Sequence, residues 1–277
     1  MTKKQSNTGP EKNVETYHKL SIQVGLNGLS FCIFDTIRHS VTLSRRIDFG
    51  KELTPFEVRK ELKALFHLEG IPDRNFTEVV VIHRNSLFSL VPKALFDKNE
   101  LANYLKFNAK ILANDLIEYD EISNYEIINV YVPFMNINNY VYELFGAFEF
   151  MHNGTVLIQA LMNLHSHGNE AICYVHVDDN FLDVAVLSQK QLLFYNSFPY
   201  STKEDFAYYL LFVLEQLKLD TEEVKVRLFG AIDEGDEIYN LCYEYLQHLS
   251  IFLPPGIQPL QESQDLERID FTVLNAL

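Results

Sequence analysis

Acidic and imidazole side chains gather at two places in this sequence, and each raises the question of a bound cation. Asp178, Asp179 and Asn180 are consecutive, so three oxygen donors share one short segment, as hard cations such as Ca²⁺ and Mg²⁺ prefer. A calcium loop of the helix-loop-helix type would also need a glycine at its sharp turn and a closing glutamate at fixed spacing, and both are missing. A solvated acidic turn is the better reading. Upstream, His152 precedes His165-Ser166-His167 and Glu170. An HxH pair offers two imidazoles, whereas a catalytic zinc centre needs three well-placed protein ligands. Histidine also suits the end of a helix, where its charge meets the negative end of the dipole. The expectation is no metal and no cofactor. None of the patterns GxSxG, GxxxxGK[ST], HExxH or the Rossmann glycine run occurs, so a catalytic Ser/His/Asp set would have to assemble from distant residues.

The elements around these residues repeat. From Leu20 to Val24 apolar and polar residues alternate, Gly25-Leu26-Asn27-Gly28 reads as a tight turn, and Leu29 to Phe34 as a second strand. A third strand is expected over Ser40 to Phe49. Thr54, Pro55 and Glu57 form a capping box with proline at the first helical position. The stripe Val58, Leu62, Leu65 and Phe66 then runs to Gly70, and Phe76 to Ile82 reads as a strand buried on both faces. The same order returns: strands at Ile172 to Val177, Leu182 to Leu187 and Gln191 to Phe198. A helix follows, capped by Ser201 or Thr202, with the stripe Phe206, Tyr209, Leu210, Val213, Leu214 and Leu217. Val224 to Phe229 is the second buried strand. Ile22, Val24, Leu29, Phe31 and Ile33 align without a gap on Val175, Val177, Leu182, Val184 and Val186, the mark of a duplicated β-β-β-α-β unit.

Between the units, Asp97 to Lys106 reads as a short helix and Ile127 to Pro133 as a strand. Asn138 to Phe150 alternates apolar and polar residues and fits strand or helix, with a helix start the preferred reading; Thr155 to Leu164 reads as a helix, while the tail ends in a strand-like stretch, Phe271 to Leu274. Aromatic-rich helices carry Tyr208, Tyr209 and Phe212, and Tyr239, Tyr243 and Tyr245; tyrosines off the apolar stripe would suit a protein-binding surface.

Composition narrows the class. With 277 residues, 47% hydrophobic and 13% aromatic, the chain can bury one large core or two ordinary ones and is unlike a disordered chain. A formal net charge of −15 repels phosphate backbones and anionic lipid, so neither nucleic acid nor a bare membrane surface is an expected partner. Cys32, Cys173 and Cys242 stand far apart without CxxC spacing, which suits a reducing compartment. No apolar run approaches the roughly 18 residues of a membrane span, and residues 1–16 lack a signal-type apolar stretch. A cytoplasmic protein without membrane insertion is expected.

The segments LSIQVGLNGLSFCIFD, SLVPKALFD and HVDDNFLDVAV resemble the actin-like ATPase superfamily. More closely, the chain resembles a Bacteroidetes-type family of unknown function assigned to that fold. The resemblance implies an α/β, duplicated actin-like (ribonuclease-H-like) two-lobed fold. Residues 1–16 would be a disordered arm, 17–170 the first lobe with an inserted segment, and 171–277 the second lobe. It also implies a nucleotide cleft made by two hairpin turns and a Gly-rich turn, which this chain has altered. Gln23 falls where an acid is expected, while Gly25 and Gly28 remain around Asn27. In the second hairpin His176 takes the place of the acid, and Asp178, Asp179 and Asn180 take the places of glycines. The adenosine turn keeps Gly230 but adds Asp233. Only a residue without Cβ lets backbone N–H groups close around phosphate, and carboxylates there repel a triphosphate by several kcal/mol at short range. The expectation is a degenerate cleft in a non-catalytic scaffold or regulatory protein that binds another protein, with a homodimer left open. The alternative is an ATP-dependent phosphotransferase or ATPase with unconventional phosphate loops.

Overall fold

The computed structural model describes residues 17–107, 110–112, 115–122, 125–165, 170–178, 180–253 and 269–277. The arm 1–16, Ser166, His167 and Asp179 lie outside them. The first unit contains β1 (His18–Gly25), β2 (Gly28–Asp35), β3 (Ser40–Asp48), α1 (Pro55–Leu68) and β4 (Glu78–Arg84). An intervening region adds β5 (Phe88–Pro92), α2 (Leu101–Leu105), β6 (Glu118–Ile122), β7 (Ile127–Tyr131), α3 (Met135–Phe145), β8 (Glu149–His152) and α4 (Asn153–Leu164). The second unit follows as β9 (Ile172–Val177), β10 (Phe181–Ser188), β11 (Gln191–Pro199), α5 (Lys203–Gln216) and β12 (Lys225–Gly230). The chain closes with α6 (Glu237–Tyr243), β13 (His248–Ile251) and α7 (Phe271–Asn275).

Two five-stranded sheets share one topology, β3-β2-β1-β4-β8 and β11-β10-β9-β12-β13, and a three-stranded sheet runs β5-β7-β6. In each large sheet the first three strands are antiparallel and the buried fourth strand joins the first in parallel. The duplication extends to register. Val24 faces Leu29 and Ile22 faces Phe31 in one hairpin; Val177 faces Leu182 and Val175 faces Val184 in the other.

Both faces of each sheet are covered, which is why β4 reads as an unbroken apolar run. Val79 and Val81 join the core beneath α1 and α3, while Val80 and Ile82 join the opposite core with Cys32 and Val156. In the second lobe α5 packs on Val175, Val184 and Val226. Two helices fill the space between the sheets. From α4, Val156 packs on the first sheet while Leu157, Ile158 and Leu161 pack toward the second; from α7, Val273 and Phe271 divide in the same way.

The helix starts follow their caps. Thr54 accepts the Glu57 N–H and Glu57 returns to the Thr54 N–H at 2.8 Å, and Thr202, rather than Ser201, makes the matching box with Asp205. Two segments differ from expectation. Phe271 to Leu274 is helical rather than strand-like, because Asp270 caps the backbone N–H groups of Thr272 and Val273; a four-residue apolar run cannot separate the two states by itself. Asn138 to Phe150 divides into the end of α3 and the start of β8, with Gly146 at φ +76° ending the helix. Among the described residues, no helix is long and apolar enough to cross a membrane.

Candidate functional site

The turn after the first strand of each sheet borders the cleft. Gln23, Gly25, Asn27, Gly28, Asp178 and Asn180 line one cavity of about 260 Å³, together with Arg46, Arg84 and Asp270. His176, Gly230 and Asp233 line a smaller neighbour of about 90 Å³, and Arg46 and Asp270 border both. The structure thus brings the residues of the three loops to one region, apart from Asp179, which lies outside the described residues.

Two of the retained glycines have packing reasons to be there. A Cβ on Gly28 would stand 2.7 Å from the Ile47 carbonyl oxygen. Gly230 has φ +99°, and a Cβ on it would stand 2.3 Å from the Val177 carbonyl oxygen, the acceptor of the Ala231 N–H at 2.7 Å. Gly25 is under no such pressure, since a Cβ there would meet nothing nearer than 3.4 Å. The turn carbonyls of Leu26 and Asn27 accept N–H groups of Leu53 and Phe49 at 2.8 Å, which fixes the turn against the chain leaving β3.

Charge organises the cleft. Asp178 begins the turn between β9 and β10, and both of its carboxylate oxygens are taken by the first lobe: Arg46, from β3, donates to one and Arg84, from the end of β4, to the other. Arg84 also donates to Asp183 at 3.2 Å. Asp183 is wholly buried inside β10, where its neighbours are the His176 Nδ1 at 3.2 Å and the Tyr195 hydroxyl at 3.5 Å. Against an ionised carboxylate that imidazole nitrogen must carry its proton. Asp178 is therefore not the solvated turn carboxylate expected from the sequence, and His176 is buried as a partner of Asp183.

Burial alone would lift the Asp183 carboxyl, but Arg84 and the His176 hydrogen bond outweigh it and hold it below its usual value. For Arg84, burial opposes the charge, and Asp178 and Asp183 together restore and strengthen it. The Tyr195 hydroxyl, buried beside Asp183, is held well above its usual value.

Gln23 meets a carboxylate from the segment before α7. The Gln23 amide donates to Asp270 at 2.8 Å, and Ser30 lies 3.5 Å from the same oxygen. The Thr272 hydroxyl sits against both Gln23 and Asp270. Asp270 is thus a helix cap and a cleft residue at once.

Arg46, Arg84, Asp183 and Asp270 were missed by motif reasoning, yet three of them break a pattern. Arg84 ends the apolar run VVVIH, Asp183 interrupts FLDVAV, and Asp270 precedes the apolar stretch that becomes α7. A charge inside a buried-strand pattern demands a partner. Arg46, on a half-buried edge strand, gives no such signal.

Of the histidine cluster, His152 and His165 lie among the described residues and His167 lies outside them. His152 is buried with Nδ1 accepting the Gly154 N–H at 3.0 Å and Nε2 facing the Asn85 carbonyl at 3.0 Å, so backbone groups use both nitrogens. Burial lowers its pKa to about 4. His165 is buried edge-on against Tyr174. Among the described residues, no group of three or more His, Cys, Asp or Glu is placed to hold a metal.

Comparison with solved structures agrees with the two-lobed arrangement. A Bacteroides thetaiotaomicron protein with actin-like ATPase fold and unknown function is similar at 21% identity, covering 85% of this chain and 91% of that one, with a TM-score of 0.75. The PilM–PilN type IV pilus biogenesis complex is similar at 12% identity, over 85% and 88% of the chains, with a TM-score of 0.57. At these identities the likeness speaks to the fold, which is actin-like. No curated protein matches the sequence. Residues 10–249 match the family described as Protein of unknown function (DUF3822), and this chain belongs to that family.

Proposed function

We propose that this is a non-catalytic actin-like protein that acts in the cytoplasm by binding another protein, as scaffold or regulatory partner, through a fold whose nucleotide cleft is degenerate. One observation carries the reading. At the turn where a phosphate loop needs bare backbone N–H groups, the chain places Asp178, and the opposite lobe devotes two arginines to it. Among the described residues, the cavity wall carries four carboxylates, Asp48, Glu52, Asp178 and Asp270, to the two guanidiniums of Arg46 and Arg84, a poor setting for a triphosphate. The chain divides near residue 170, with 17–170 as first lobe and 171–277 as second, α7 of the latter reaching back to the first sheet.

Further support comes from the surface of the second lobe. Tyr208 and Phe212 stack at 6.0 Å on α5, Tyr239 and Tyr243 at 5.9 Å on α6, and Tyr208, Phe212, Tyr243 and Tyr245 are exposed. Exposed aromatic side chains are the usual anchors of protein interfaces. The likeness to PilM, solved in a complex with PilN, is an analogy of fold. Three free, buried cysteines are in keeping with a reducing compartment.

The ATP-dependent phosphotransferase or ATPase reading is favoured by one feature, the cavity of about 260 Å³ that the Gly25–Gly28 turn borders. Thermal unfolding with and without excess Mg-ATP or Mg-ADP separates the two. No shift is expected. A ligand at a hundred times its dissociation constant stabilises the native state by about 2.7 kcal/mol, and a rise in Tm of that origin would overturn the degenerate-cleft reading.

A further inference from the structure

Arginines from two different strands of the first lobe converge on a single turn residue of the second. We propose that Asp178 is an internal plug: its carboxylate occupies a cryptic anion site, built across the cleft by Arg84 and Arg46, that would otherwise take a pyrophosphate-type anion. This inference deepens the reading above and rests on its degenerate cleft.

Arg84 is the fixed point of the site. Its side chain is 11% exposed, and a guanidinium cannot shed its proton to escape burial. It must therefore face anions at all times. Asp183 meets Nη2 from within β10, fully buried and hydrogen-bonded on both oxygens. Asp178 meets Nη1 from a turn. The two carboxylates differ in how readily they yield: moving Asp183 would tear a central strand, whereas moving Asp178 displaces a hairpin tip held by its N–H to the Phe181 carbonyl at 2.9 Å and by the Tyr200 hydroxyl on its own carbonyl at 2.6 Å. Turns open at far lower free energy than core strands.

The seat is ready for an exchange. The cavity of about 260 Å³ borders both arginines directly, so an incoming anion meets them without rearranging the sheets. Gly25 stands beside Arg84 in register, and its empty Cβ position leaves that wall open. The Phe181 ring lies 5.8 Å from the Arg84 guanidinium carbon, which orients the guanidinium plane. A guanidinium fork binds phosphate oxygens with the same two-pronged geometry that it offers a carboxylate. With Asp178 in place the wall is too acidic for a free anion; without it one negative charge leaves and one arginine prong of Arg84 loses its acceptor.

The test measures metal-free pyrophosphate binding by calorimetry, in the presence of a chelator, on the full chain and its variants. Asp178→Ala is expected to bind pyrophosphate roughly tenfold or more tightly than the unaltered protein, and adding Arg84→Met should abolish the gain. Asp178→Ser, which also empties the seat, replaces the alanine variant if that one fails to fold, and must show the same gain. Equal binding by the unaltered protein and Asp178→Ala would overturn the proposal. So would a folded Asp178→Ala that binds no more tightly than Asp178→Ala/Arg84→Met. These failures leave the Mg-ATP result on the unaltered protein untouched, so the plug and the degenerate cleft fall separately.

Discussion

The two hairpins that face each other across the cleft match in register on one side and diverge on the other. On the outer, core-packed side, Ile22, Val24, Leu29 and Phe31 correspond to Val175, Val177, Leu182 and Val184, and every cross-strand pair is preserved. On the cleft side, Gln23 paired with Ser30 corresponds to His176 paired with Asp183, and Arg46 opposite Ser30 corresponds to Ser197 opposite Asp183. At these paired positions the first hairpin presents the Gln23 amide, the Ser30 hydroxyl and the Arg46 guanidinium, and the second presents His176, Ser197 and the Asp183 carboxylate. Neither set is satisfied at home: Asp178 finds its cations in the first lobe, and Gln23 finds its carboxylate on the segment that ends the chain. Packing constrains the core side to apolar residues of similar volume, whereas the cleft side is constrained only by the charge it faces. Two halves with opposite charge then hold each other, which a symmetric pair of hairpins could not do.

The largest expected effect comes from removing the buried cation on which both second-lobe carboxylates depend. Arg84→Met leaves Asp183 buried with His176 and the Tyr195 hydroxyl but without a guanidinium, and should cost about 3–5 kcal/mol, the range for breaking one member of a buried ion pair. Arg46→Met, at a side chain 30% exposed, should cost only about 0–1 kcal/mol. Urea unfolding of both variants reads the difference. Equal costs would show that the contrast between lobes is one of sequence and not of energy.

A second, smaller effect compares a buried carboxylate from each lobe. Asp183 has Arg84 beside it and is held below its usual value; its stabilisation is present above the ordinary carboxyl pKa and is lost as pH falls through the lowered one. Asp120 lies on β6, where it accepts the Tyr131 hydroxyl at 3.0 Å, the Thr155 hydroxyl at 2.7 Å and the His152 N–H at 2.8 Å. Burial without a cation raises it to about 6. The folded state then holds a proton that the unfolded state has released, so stability falls as pH rises from about 4 to about 6, by on the order of 2–3 kcal/mol. The difference in urea midpoint between the unaltered protein and Asp120→Asn should change by that amount over this window, and the difference for Asp183→Asn should move in the opposite sense below it. A pH-independent difference for Asp120→Asn would mean that its carboxyl ionises at no cost in place.

Much of this architecture was legible before any coordinates. The matched apolar pairs of the two hairpins, the Thr54 capping box and the continuous run of β4 all state their structure through period and burial. The cleft was legible only in part. The residues that depart from a glycine turn could be named one by one, but their partners could not, because Arg84 and Asp178 are 94 residues apart and Gln23 and Asp270 are 247 apart. A lone sequence gives the demand for a counter-charge and not its address. The same holds for β5, β6 and β13, short strands of four or five residues whose pattern is too brief to separate from loop.

The smallest effects test whether the surviving glycines serve the cleft or the fold. Gly230 sits at φ +99°, with the Val177 carbonyl where a Cβ would go. An L side chain there pays backbone strain and forces β12 away from β9. Gly230→Ala should therefore lose about 1–3 kcal/mol, seen as a lower urea midpoint with an unchanged slope. At Gly25 the built Cβ meets only ordinary contacts, and no left-handed backbone is required. Gly25→Ala should stay within about 0.5 kcal/mol of the parent, the margin of an unconstrained site. A large loss at Gly25 would mean that the first hairpin needs its glycine for the fold, as the second lobe does at Gly230. A neutral result leaves Gly25 as the one glycine of the three whose absence of a side chain matters to the cavity and not to the sheets.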